Sequence, residues 1–214
     1  TLKAIEKYLG CQPIHVSVTS WWSKFNKLDD ISLNYGAQLF HQDKEFIKFV
    51  KIFIYLTDVD EKNGPHEYIA GSHKDYSNNT PENYKMSDRL SDEYLKTKYS
   101  AERFNSFTGE AGTIIITDSN GFHKGKPLLE GQRLLLQLEF ASSLYFNSLP
   151  AFATEGLTLE YQSFLKNNLR FAQNYDNERY KNDRKRRNYK RVGFFFETLK
   201  LRFKIVIKKI LGIS

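Results

Sequence analysis

A mainly β domain, a sandwich or barrel flanked by helices, is the fold class this sequence predicts, and three observations carry the expectation. Short stretches rich in β-branched and aromatic residues recur along the chain, Gly, Asn and Pro punctuate them, and helical spacing is confined to both ends and one internal insertion. In order, TLKAIEKYLG has helical period and stops at Gly10, while IHVSVTSWW (14–22) alternates as a strand. AQLFHQD (37–43) is a short strand candidate. FVKIFIYLTDV (49–59) has the residues and length to cross a sheet. DEKNGP (60–65) is turn chemistry, since Asn63 and Gly64 tolerate positive φ and Pro65 ends pairing, and it reads as a hairpin into HEYIAGSHK (66–74), a strand that turns at Gly71. SDRLSDEYLKTKY (87–99) has helical spacing with Ser87 as its cap. GTIIITDS (112–119) and RLLLQLEFASS (133–143) are two further strands joined by a loop, and roughly 155–176 turns helical again.

At 214 residues the chain predicts one domain, 1–176, followed by a basic, partly apolar tail, 177–214. A hydrophobic content of 40% with 15% aromatics excludes an intrinsically disordered chain and predicts an aromatic-rich core. The single cysteine, Cys11, excludes an intrachain disulfide framework. With no basic-then-apolar run at the start of the sequence, a cytoplasmic setting is expected.

Chemistry is concentrated in few residues. The histidines are His15, His41, His66, His73 and His123. His41 and Asp43 stand two apart, a spacing that on a strand points both side chains to one face, where an imidazole and a carboxylate can share a metal. A second histidine from another strand end would complete a two-His-one-carboxylate set, which leaves positions open on Fe(II) for substrates and oxygen. His123, just after the strand 112–119, is placed to supply it. Arg133 starts the next strand, where it could neighbour His123 across the loop and fork onto a carboxylate.

The blocks FHQD, IYLTDVDEKNGPHEYIAGSHK, GEAGTIIITDSNGFHKG and GQRLLLQLEF, in that order over roughly residues 30–145, resemble those of the phytanoyl-CoA dioxygenase family of Fe(II)/2-oxoglutarate-dependent oxygenases. The resemblance implies a double-stranded β-helix, a cupin-like jelly roll, with iron at one mouth. It matches the metal ligands to His41, Asp43 and His123, and the arginine that pairs with the far carboxylate of 2-oxoglutarate to Arg133. It places His73 near the site but outside the metal shell. The implied activity is a dioxygenase that uses Fe(II), 2-oxoglutarate and O2 to hydroxylate a small molecule, with release of succinate and CO2. The intact Asp43 favours hydroxylation over halogenation, because related halogenases carry a small residue there. Gln42 and Asp118 are candidates to orient the ligand imidazoles, with ordinary surface or turn roles as the plainer reading.

Two features depart from the family pattern. Family members often carry Ser or Thr two residues after the distal histidine to help hold 2-oxoglutarate, and here that residue is Gly125. By strand parity Phe49, Lys51, Phe53, Tyr55 and Thr57 share one face, so Lys51 and Tyr55 are candidates for the missing anchor. The alternative is a strand-edge lysine and a core tyrosine with a wet hydroxyl. The segment after Asp43 is short and the one before His41 is brief or truncated; both can form substrate lids in the family, and the substrate is not legible.

The tail lies outside the resemblance. Residues 179–209 hold 13 of the 32 basic residues against Asp183 and Glu197, so the body of the chain is mildly acidic. A solvated face is one reading. Peripheral attachment to an anionic membrane, or contact with another protein, through 179–213 is the other. Charge interrupts the segment too often for it to span a bilayer, and no recognition motif accompanies the basic run, so specific nucleic-acid binding is not expected. The rival to an enzyme is a catalytically inactive jelly-roll binding module tethered by this tail. Retention of His41, Asp43, His123 and Arg133 counts against it.

Overall fold

Strand β2 (Phe49–Tyr55) is buried along almost its whole length, and the other strands are arranged around it. The structure, a computed structural model, describes residues 1–25, 37–43, 45–75, 80–81, 84, 88–144 and 152–175. Helix α1 (Leu2–Leu9) and strand β1 (Ile14–Lys24) precede β2. After it come β3 (His66–Ile69), helix α2 (Asp92–Lys96), β4 (Phe104–Phe107), β5 (Ile114–Thr117), β6 (His123–Gly125), β7 (Gln132–Ala141) and helix α3 (Leu159–Asn167). The strands form two antiparallel sheets, in the orders β1-β7-β2-β5 and β4-β3-β6. The chain changes sheet between β2 and β3, β4 and β5, β5 and β6, and β6 and β7. That winding makes a double-stranded β-helix, the jelly roll. Bridges from Phe40 to Leu90 and from His41 to His123 lay the segment 40–41 along the free side of β6.

The apolar residues account for the packing. On β2, Phe53 and Tyr55 cluster with Val59, Ile115 and Leu135, and Phe49 clusters with Val16, Phe46 and Ala141. A third cluster joins Phe40, Ile69 and Phe122 to Leu90, Leu95 and Tyr99, which anchors α2 through Leu95. Removing such side chains from water is the main force holding the sheets together. Gly10 ends α1 in the left-handed conformation expected of it.

Three expectations are corrected. Residues 60–65 do form a turn, with Asp60 Oδ1 accepting from the amides of Lys62 and Asn63, but it is not a hairpin. Both edges of β2 are already paired, with β5 and β7, so the following strand β3 has no edge to take and crosses to the other sheet. The internal helix is shorter than its spacing suggested and is capped by Ser91, whose hydroxyl accepts from the Tyr94 amide; Ser87 lies outside the described residues. The helix read over 155–176 is α3 followed by a separate turn at Phe171–Asn174, because Asn168 leaves helical geometry at φ −124 and ψ 62.

By internal contacts the chain divides into two compact units, residues 1–149 and 150–214. The jelly roll lies in the first. In the second, Thr158 caps α3, and the hydroxyls of Tyr161 and Tyr175 meet at 2.8 Å. The basic tail lies outside the described residues. Among those described, no helix is long and apolar enough to cross a membrane.

Candidate active site

His41 and His123 come together because the backbones of the two segments are laced to each other. The His41 amide donates to the His123 carbonyl at 3.0 Å, and the His123 amide returns the bond at 3.0 Å. Two residues on, the Asp43 amide donates to Ser119 O at 2.8 Å, and Gln42 Nε2 donates to Asn120 O at 2.7 Å. Side chains two apart on such a segment share a face, so Asp43 joins the two imidazoles inside the barrel. One ligand atom from each of His41, Asp43 and His123 lies within 4.8 Å of the others. His123 Nε2 is 3.2 Å from Asp43 Oδ2, and His41 Nε2 is 3.7 Å from Asp43 Oδ1.

Backbone carbonyls set both ring orientations. His41 Nδ1 lies 3.0 Å from Leu39 O, and His123 Nδ1 lies 2.9 Å from Gly121 O. A carbonyl only accepts, so each Nδ1 carries a proton and each Nε2 faces the barrel interior, where it can ligate a metal once it is free of a proton. Sequence reading offered Gln42 and Asp118 as candidates for this task, with ordinary surface or turn roles as the plainer reading. Instead, Gln42 ties two backbone segments together, and Asp118 holds Asn120 with its carboxylate and Tyr68 with its carbonyl. Gly121 is required to be glycine by its surroundings, because a Cβ there would sit 2.1 Å from the Tyr68 hydroxyl. His73 touches that same hydroxyl at 3.2 Å and stands outside the cluster.

Burial first, and then His123, lower the His41 pKa to about 3 against the opposing pull of Asp43, so the ring stays neutral. For Asp43 burial alone would raise the pKa, but the hydrogen bond and charge of His123 and the ammonium of Lys51 outweigh it and hold the carboxyl below its usual range. Lys51 is buried, with Nζ 2.8 Å from Asp43 Oδ2. Parity thus placed Lys51 on the inward face, where its nearest partner is the Asp43 carboxylate. Tyr55 also points inward, but its hydroxyl donates to Phe107 O at 2.7 Å and accepts from the His66 amide at 2.9 Å.

One ammonium needs one carboxylate, and Asp43 fills that role. Glu139, the cross-strand neighbour of Lys51 and itself buried, is left over. Burial pushes its pKa up to about 8 against the pull of Lys51, with Glu45 adding to the rise. The folded state therefore keeps this proton between about pH 4.5 and 8 while the unfolded chain releases it, so stability falls as pH rises through that window. Glu139→Gln is expected to flatten the decline and to be more stable than the parent by on the order of 3 kcal/mol near its upper end, as read by urea unfolding across the window.

Arg133 is not the neighbour of His123 that sequence reading expected. It pairs with Ser23 of β1 in the other sheet and reaches across the interior toward Gly125, where a Cβ would meet Nη2 at 3.2 Å. Its guanidinium is buried, donating Nη1 to Gly64 O and Nη2 to Ser23 Oγ, and Nε has no partner. None of its partners among the described residues is a carboxylate, so among those residues this buried permanent cation has no counterion. The donor set and the orphaned Nε fit a divalent metal at one end and a carboxylate-bearing co-substrate at the other. Sequence reading missed His66, a buried histidine on β3 whose ring is tilted against those of Phe53, at 4.6 Å, and Phe107, at 6.2 Å, with its centroid 5.7 Å from that of His123. Its place in a polar-apolar alternation was the available signal. Burial, then His123 and Arg133, hold its pKa well below the ordinary range.

A family model described as Phytanoyl-CoA dioxygenase (PhyH) matches residues 2–132. No curated protein matches the sequence. Among solved structures, the chain is similar to AviO1 from Streptomyces viridochromogenes Tue57, at 13% identity over 70% of this chain and 59% of that one, TM-score 0.47. It is similar to HygX from Streptomyces hygroscopicus with nickel and 2-oxoglutarate bound, at 14% identity over 74% and 66%, TM-score 0.46. It is also similar to SnoK, a non-heme alpha ketoglutarate dependent carbocyclase from nogalamycin biosynthesis, at 16% identity over 60% and 50%, TM-score 0.44. The chain spans less than two thirds of the length of each.

Proposed function

The chain belongs to the phytanoyl-CoA dioxygenase family, and from that membership we propose that it is a non-haem Fe(II)- and 2-oxoglutarate-dependent oxygenase that hydroxylates a small molecule. The observation that carries the reading is the convergence of His41, Asp43 and His123 inside the barrel, with both Nε2 atoms turned inward by backbone carbonyls. These three residues would hold the metal, and Arg133 would receive the far carboxylate of the co-substrate. When bound, iron and 2-oxoglutarate supply the oxidising chemistry, which consumes O2 and releases succinate and CO2. The protein's part is geometric and electrostatic. The Leu39 and Gly121 carbonyls hold the imidazoles in the ligating tautomer, and Lys51 steadies the Asp43 carboxylate. The guanidinium of Arg133, already stripped of water, offers a charge that only an anion satisfies. The surrounding Phe53 and Phe107 keep that end of the barrel apolar. The basic tail is assigned the peripheral contact, with an anionic surface or another protein, that its charge suggests.

Anaerobic addition of Fe(II) and then 2-oxoglutarate is expected to produce a metal-to-ligand charge-transfer band that saturates with one co-substrate bound. A protein that takes up neither would be the binding module instead.

A further inference from the structure

Among the described residues, the buried nitrogens Arg133 Nε and His66 Nε2 have no hydrogen-bond partner. They belong to side chains that arrive from opposite sheets, Arg133 on β7 and His66 on β3. Gly125 of β6 relates them. It is the register partner of His66 in the three-stranded sheet, and Arg133 Nη2 occupies the space where its side chain would start. On both strands the intervening residue, Glu67 or Lys124, joins a separate ion pair at 3.2 Å. His66, Gly125 and His123 therefore share the inward face by strand alternation. Gly125 contributes no group of its own there. The two side chains that strand parity offered as a further anchor are otherwise engaged, Lys51 with Asp43 and Tyr55 with the backbone of Phe107 and His66.

We propose that His66 is the second anchor of the co-substrate's distal carboxylate, with Nε2 donating one hydrogen bond to the carboxylate that Arg133 pairs with. The inference rests on the oxygenase reading above. A buried imidazole nitrogen without a partner is destabilising, as is a buried guanidinium without a counterion, and one carboxylate satisfies both. A neutral donor on one side and a fixed cation on the other also suits a group with two oxygens to be held. A residue that merely filled the core between Phe53 and Phe107 would do so better as leucine or phenylalanine, which leave no nitrogen orphaned.

The test compares two ligands on the Fe(II)-loaded, anaerobic protein. One is 2-oxoglutarate, and the other is 2-oxobutyrate, which chelates identically and lacks the distal carboxylate. His66→Leu is expected to weaken 2-oxoglutarate roughly tenfold and to leave 2-oxobutyrate unchanged, with His66→Gln, which keeps a donor, recovering much of the loss. The metal-free His66→Leu protein should melt no lower than the parent, since it no longer buries an unpaired nitrogen. Should that variant fold poorly, His66→Met gives the same comparison with a more adaptable side chain. Unchanged 2-oxoglutarate affinity in the apolar variants would overturn the proposal, and so would equal weakening of both ligands, which would place the effect at the chelating end. If the parent protein binds no 2-oxoglutarate, the oxygenase reading fails and takes this inference with it. If the parent binds it and the variants match, only this inference fails.

Discussion

His41→Ala is expected to reduce 2-oxoglutarate turnover by more than roughly a hundredfold, beyond the loss typical of residues that only support a metal ligand. Succinate formation with Fe(II) and O2 measures it, and retained iron-dependent succinate production would sink the ligand assignment. Asp43→Ala should lose turnover as completely, but the two variants should differ in stability. His41 is neutral, so its removal leaves a cavity and no stranded charge. Asp43 is the partner of buried Lys51, and its removal leaves that ammonium to Glu139 and Glu45. Glu139 can release its proton and take over part of the pairing. Asp43→Ala should therefore unfold at lower denaturant than His41→Ala, yet still fold.

Lys51→Met should destabilise the metal-free protein by about 3–5 kcal/mol, the range for breaking a buried pair by removing one partner. Asp43 would be left as a buried carboxylate with the imidazole of His123 as its remaining close neighbour. The methionine fills the same channel, so the loss reports charge rather than volume. A divalent cation in the site would replace the missing ammonium as the counterion of Asp43. Adding metal is accordingly expected to raise the melting temperature of Lys51→Met more than that of the parent. Equal metal-induced shifts in the two proteins would show that Lys51 and the metal do not share Asp43.

The residues of the candidate centre were legible in the sequence, because their spacing is local or belongs to blocks that recur in a family. His41 and Asp43 needed only strand alternation, and the resemblance supplied His123 and Arg133. The strands themselves were equally plain, since period and β-branched content are properties of a few neighbouring residues. What escaped was every feature that depends on which edge of a strand is taken. DEKNGP looked like a hairpin until β5 and β7 were found on both edges of β2. Arg133 looked like a neighbour of His123, but it comes from the other sheet and reaches Gly125 across the interior.

Gln42 and Asp118 were reasonable partners for the imidazoles by residue type, yet the carbonyls of Leu39 and Gly121 do that work, and a backbone carbonyl has no signature in sequence. His66 was one histidine among five until its Nε2 was seen to be buried without a partner, as is the Nε of Arg133. The sequence by itself determined which elements form and which side chains are candidates for the chemistry, since periodicity and residue type are written locally. Only the tertiary structure decided which charges are paired and which are left over, because burial and pairing depend on groups that arrive from distant strands.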